Sequence, residues 1–266
     1  MPISEPTFVP VSGPAPSALR AGFRFGDKGT HSSRTLMLEE LTEVLAAAPS
    51  TADRDGYSAA IIVDNCLSKP TASTRRLSNQ RLGELYALDP KCAVFRVLRR
   101  LWFLEERGRP LLALLAAMSR DPLLVASAAP ILALPDGTEM QRSAVRDALR
   151  KVVGERLNPA VLDKVVRNTA STWTQTGHLQ GRMFKIRKRV EATPCAVAMA
   201  LYLGHSVGFR GDELLRSGWV AALDCSPASA QALAIEAKRL GLIDLRTSGD
   251  VLELGLDRID PGPARG

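Results

Sequence analysis

Residues 71–85 read TASTRRLSNQRLGEL, a stretch whose side chains suit contact with nucleic acid. Arg76, Asn79 and Gln80 carry forked donors and acceptors that match base edges in a major groove. Ser73 and Thr74 at a helix start, beside Arg75, suit a phosphate. On a helix turning roughly 100° per residue, Leu77, Leu82, Leu85 and Leu88 gather on one side, and Ser73, Arg76, Asn79, Gln80 and Gly83 on the other. Arg81 falls toward the apolar side, where it suits an internal ion pair. A solvated helix has a similar face, so the surroundings must decide.

RMFKIRKR, residues 182–189, places Arg182, Lys185, Arg187, Lys188 and Arg189 together without an acid. Such a density repels itself unless an anion or another chain covers it, and Phe184 and Ile186 are expected to anchor the segment. It is a candidate for contact with a phosphate backbone. The charge is also unevenly placed along the chain. Residues 142–193 hold 12 basic and 4 acidic groups, a local balance of +8, whereas the whole chain stands at +7. A polyanion partner follows naturally from this concentration, because neutralising phosphates releases counterions and gives affinity independent of sequence.

Other chemistries find little support. His31, His178 and His205 stand apart from one another, and HExxH, GxxxxGK[ST] and GxSxG motifs are absent. Cys66, Cys92, Cys195 and Cys225 form no CxxC pair, so reduced thiols are expected rather than a zinc site or disulfides. We therefore assign no catalytic residue, metal or cofactor. His205 suits a helix end. Aromatic residues make up only 5% of the chain, too few to suggest the stacking platforms of single-stranded RNA binders. No apolar run reaches the roughly 18 residues of a membrane span, and no secretion signal precedes residue 34, so a cytoplasmic protein is expected.

These residues must be positioned by a mainly α fold, with an N-terminal helix-turn-helix-like unit, a central helical bundle and a C-terminal winged helix-turn-helix. Residues 1–33, broken by five prolines between Pro2 and Pro16, are expected to form an extended arm. Residues 34–135 make an N-terminal helical domain: Leu38, Leu41, Leu45 and Ala48 form one stripe, a second apolar helix follows, and Pro70 with Thr71–Thr74 caps the basic helix. Phe95, Leu98, Leu101 and Trp102 begin the hydrophobic centre. Residues 136–193 form a basic helical segment and connection, with Val145, Leu149, Val152 and Val153 inward and a second helix capped by Asn158 and begun by Pro159. Residues 194–258 hold three helices, the last capped by Ser226 with Ala230, Leu233, Ala237 and Leu240 on its stripe, then a hairpin around Ser248, Gly249 and Asp250. Residues 259–266 are a tail. The C-terminal module is not basic, which suits packing or partner docking at least as well as DNA.

The stretches DNCLSKPTASTRRLSNQRLGELYALD, FRVLRRLW, RPLLALLAAMSRDPLL and ALAIEAKRLGLID resemble, in order, the BrxA family of bacterial BREX (bacteriophage exclusion) systems. The resemblance implies a small helical protein that binds double-stranded DNA with little sequence preference beside the other BREX subunits, with no catalytic centre. Ser73, Thr74, Arg75 and Arg76 match the family's basic helix. The second function class is an adaptor that docks a methyltransferase or ATPase subunit of such a system, with nucleic acid secondary.

Overall fold

A computed structural model describes residues 5–248 and 251–262 and is mainly helical. The helices, in chain order, are α1 (Pro16–Ala21), α2 (Leu38–Ala47), α3 (Arg54–Ile62), α4 (Ala72–Tyr86), α5 (Ala93–Trp102), α6 (Arg109–Met118), α7 (Pro122–Ala126) and α8 (Ala128–Leu132). There follow α9 (Arg142–Val153), α10 (Pro159–Gln175), α11 (Pro194–Val207), α12 (Asp212–Arg216), α13 (Gly218–Ala221) and α14 (Pro227–Arg239). Two antiparallel hairpins interrupt the series: β1 (Leu179–Gln180) with β2 (Ile186–Arg187), and β3 (Asp244–Ser248) with β4 (Val251–Gly255). The turn expected at Ser248–Asp250 lies partly outside the described residues.

Local chemistry fixes most of the helix starts. The side chains of Thr71, Asn158, Thr193 and Ser226 accept from the backbone N–H three residues on, satisfying donors that a helix start leaves open. Pro159, Pro194 and Pro227 occupy first-turn positions where no N–H is needed. Helices α6 and α11 are apolar on every side. Leu112, Leu114 and Leu115 on one, and Val197, Met199 and Leu201 on the other, are fully buried. A helix without a polar face must sit inside, and α11 accordingly packs against α1, α5, α6, α12, α13 and α14.

The amino-terminal segment departs from the extended arm expected of it. It forms α1 and a 3-10 turn at Thr30–Ser32, and it buries Phe8 and Phe23 edge-on against Trp219. Its backbone is tied to distant elements: Ala15 N–H donates to Val207 O, and Thr7 O accepts from Gly218 N–H. The prolines prevent a long helix, but they do not prevent packing, because an extended chain that finds acceptors loses nothing by lacking a few donors. Two apolar assignments are also corrected. Val152 and Leu240, expected inside, are 42% and 62% exposed, since each lies at the edge of its helix's apolar stripe near the helix end.

The segment after α8 is organised around the first hairpin. Met140 N–H donates to Lys185 O, Arg187 N–H to Thr138 O and Gly137 N–H to Arg187 O, so residues 137–140 run antiparallel beside β2, with a bridge between Glu139 and Ile186. Strand β2 therefore lies in the middle of three extended pieces. Gly181 opens the tip at φ +110°, and a Cβ there would collide with the Phe184 carbonyl oxygen. Only glycine fits that turn.

Candidate nucleic-acid interface

The two groups of candidate residues are built into the fold in different ways. On α4, Thr71 and Thr74 form a capping box, with the Thr71 hydroxyl accepting from Thr74 N–H (3.1 Å) and the Thr74 hydroxyl accepting from Thr71 N–H (3.3 Å). Arg75 turns inward and donates from Nη1 to Ile62 O (2.8 Å), at the last residue of α3. Asn79 donates to Ser58 Oγ (3.2 Å), and Gln80 to Glu84 Oε1 (2.9 Å). Arg81 pairs with Glu84 (2.7 Å), as its side of the helix suggested, and Thr30 donates to the same carboxylate (3.0 Å). Burial alone would raise the Glu84 carboxyl, but hydrogen bonds from Arg81, Gln80 and Thr30 outweigh it and hold the group below its usual range. Ser73 and Arg76 remain exposed, without a side-chain partner among the described residues.

The 182–189 group divides differently. Arg187 is fully buried and pairs with Asp224, while Arg189 reaches the same carboxylate at 2.9 Å. Arg187 is therefore corrected from a surface contact to an internal one. In β2 its register opposite Leu179 points it into the core, where only a carboxylate makes a guanidinium tolerable. Burial tends to raise Asp224, but the Arg187 hydrogen bond and the Val190 N–H hold it low. His178, beside this pair, is pulled down to about 4, first by burial, with Asp224 opposing and Arg187 assisting. It is neutral near pH 7, accepting from Thr176 and donating to Ala222 O.

Outside that anchor the hairpin is open to solvent. Arg182 and Lys188 are exposed, and Lys185 Nζ donates to Thr174 Oγ1 (2.7 Å) on α10. Burial, then the neighbouring Arg142 guanidinium, pulls Lys185 below the ordinary lysine range. Phe184 does not anchor the loop: it is 63% exposed at the tip beside Met183, while Ile186 is half-buried.

The structure adds α10 to this surface. Its buried stripe runs through Leu162, Val165, Val166, Thr169, Ala170 and Trp173. The opposite side presents Lys164, Arg167, Ser171 and Thr174, spaced three or four apart and ending at the hairpin through Lys185. Lys164 and Arg167 have no side-chain partner among the described residues, whereas Thr174 is bonded to Lys185 and to Ala170 O. A helical projection of residues 159–175 contains that signal. It was overshadowed by the denser arginines before and after it. Of the cations in residues 142–193, Arg142, Lys151, Lys164, Arg167, Arg182 and Lys188 are exposed with no carboxylate partner among the described residues. Arg146, Arg150 and Arg156 pair with Asp163, Glu155 and Asp27.

One buried cluster has the order of a nucleophile triad: Asp121 Oδ2 lies 2.7 Å from His31 Nδ1, and Thr172 Oγ1 lies 2.8 Å from Nε2. All three residues have no solvent exposure, so no substrate atom reaches the hydroxyl in this conformation. The cluster instead ties the amino-terminal segment to α7 and α10, with Asp121 also capping α7. His205 lies half-buried at the end of α11, where its carbonyl accepts from Gly208 N–H. All four cysteines are free. Among the described residues, no helix is long and apolar enough to cross a membrane, and no three His, Cys, Asp or Glu side chains gather as for a metal ion.

No protein-family model and no curated protein sequence matches the chain.

Proposed function

We propose that this protein is a non-enzymatic double-stranded DNA-binding component of a bacterial anti-phage defence system, and that its duplex contact is α10 with the β1–β2 hairpin rather than α4. The DNA reading is carried by one observation, the run of unpaired cations on α10 and the hairpin. Helices α9 and α10, the hairpin, and residues 137–140 as a third extended piece have the order of a winged helix-turn-helix, in which α10 would lie in the major groove and the hairpin tip beside it. Cations that meet phosphates without base-edge partners give tight but indiscriminate binding. The defence setting rests on the resemblance to the BrxA family.

The test is a titration of an arbitrary duplex at several salt concentrations. Wild type should bind with a steep salt slope, and Lys164→Glu/Arg167→Glu should weaken binding about tenfold or more and flatten the slope by about 2, at roughly 0.9 per phosphate contact. Arg76→Glu should have a much smaller effect. No binding at low salt, or an undiminished affinity in the α10 variant, would overturn the assignment.

The adaptor reading draws on the other end of the chain. Ile235 on α14 and Leu240 directly after it are 41% and 62% exposed, and the same C-terminal segment carries the exposed Arg239–Glu236 and Arg258–Asp244 ion pairs. A mixed surface with exposed apolar residues suits a protein partner better than phosphate. If the α10 variant loses DNA but still associates with a methyltransferase or ATPase subunit, both activities belong to the one molecule, on different faces.

A further inference from the structure

A cavity of about 530 Å³ lies where the amino-terminal segment meets α4, the α6–α7 junction and the 3-10 turn at Gly154–Arg156. That is within the usual range of small-molecule sites, about 300–1,000 Å³. Its wall carries Arg24, Lys28, Arg81, Arg120 and Arg156 against a single lining carboxylate, Glu84. With Asp27 paired to Arg156 from outside the wall, five cations face two carboxylates, an excess of +3.

We propose that this cavity binds a compact polyphosphate anion. Three of its guanidinium groups are held in place by the fold: Arg81 by Glu84, Arg156 by Asp27, and Arg120 by the carbonyls of Gly22, Gly83 and Glu84. Donors fixed before the ligand arrives lose little freedom on binding it. Arg81 Nε is buried without a hydrogen-bond partner, a donor that still lacks an acceptor. Arg24 and Lys28 are exposed at the rim, with no side-chain acceptor among the described residues. Burial pulls the Arg120 guanidinium below its ordinary value; Cys92 opposes the shift and Arg24 adds to it, so the cavity wall holds like charges near one another. An anion relieves that repulsion.

The geometry selects among anions. One carboxylate cannot serve cations on four separate elements, whereas a chain of phosphates spreads several charges and many acceptor oxygens through the cavity. A duplex phosphate would meet the exposed rim before it met the buried Nε of Arg81. Phe25, 41% exposed and stacked on Phe23 with centroids 6.0 Å apart, adds a flat apolar face to the wall, which would suit the base of a nucleoside polyphosphate.

Calorimetric titration of the full chain at low ionic strength, with tripolyphosphate and with ATP, tests the site. Each should bind at one site per chain, and Arg24→Glu/Lys28→Glu, which breaks no internal bond, should weaken both about tenfold or more. Lys164→Glu/Arg167→Glu should leave both unchanged, which separates this cavity from the DNA surface. Phe25→Ala distinguishes two sources of the same chemistry: a loss for ATP alone supports a nucleotide, and an equal response supports inorganic polyphosphate. The inference falls if neither anion binds the folded protein, or if binding survives the Arg24/Lys28 reversal. It also falls if binding disappears with the α10 reversal.

Discussion

Helices α4 and α10 resemble one another in sequence, since each starts at a side-chain cap, carries cations on a polar side and precedes further basic residues. They differ in what lies within reach of those cations. Arg75 and Arg81 on α4 find the Ile62 carbonyl and Glu84, and Asn79 finds Ser58. Lys164 and Arg167 on α10 find no carboxylate among the described residues. The hairpin repeats the lesson over two consecutive residues, with Arg187 inside against Asp224 and Lys188 outside. A count of basic residues locates where charge is made, and the partners decide where it is free.

The contrast can be attacked at its strongest point. Arg187→Met leaves buried Asp224 with only the half-exposed Arg189 as its cation, and denaturant unfolding should show a loss of about 3–5 kcal/mol. Lys188→Met should stay within about 0.5 kcal/mol. Equal costs would mean that the environments of Arg187 and Lys188 are not distinct. The same anchor predicts a pH dependence. His178 titrates at about 4 in the folded chain against an ordinary 6.5. Between these values the unfolded chain binds the extra proton, so stability falls as pH drops through the window by about 3 kcal/mol and this contribution levels off below it. Urea midpoints from pH 7.5 to 4 would measure the slope, and His178→Gln should flatten it.

Smaller effects sharpen the contrast between the two helices. Arg75→Ala, which frees the Ile62 carbonyl, should cost about 1–3 kcal/mol of stability. Lys164→Ala should cost less than about 0.5 kcal/mol of stability while weakening DNA binding. Thr71→Ala should cost about 1 kcal/mol through the lost cap, read as a lower unfolding midpoint, with DNA affinity unchanged.

Much of the fold was legible because its signals are local. The stripe of Leu41 and Leu45, the caps at Thr71, Asn158 and Ser226, and the C-terminal hairpin all depend on neighbours a few residues away. The β1–β2 hairpin was not legible, because strands of two residues are too short to show alternation. Nor was the packing of residues 5–33, whose partners Trp219, Val207 and Asp121 lie far along the chain.

By itself the sequence determined the helical periodicity, the caps and the concentration of positive charge in residues 142–193, since each is written in residue type and spacing. Tertiary structure alone decided which of those charges reach solvent. Asp224 lies 37 positions beyond Arg187, and Ile62 O comes to Arg75 from another helix. Removing a cation from the surface takes an acceptor in three dimensions, and no spacing along one helix reveals it.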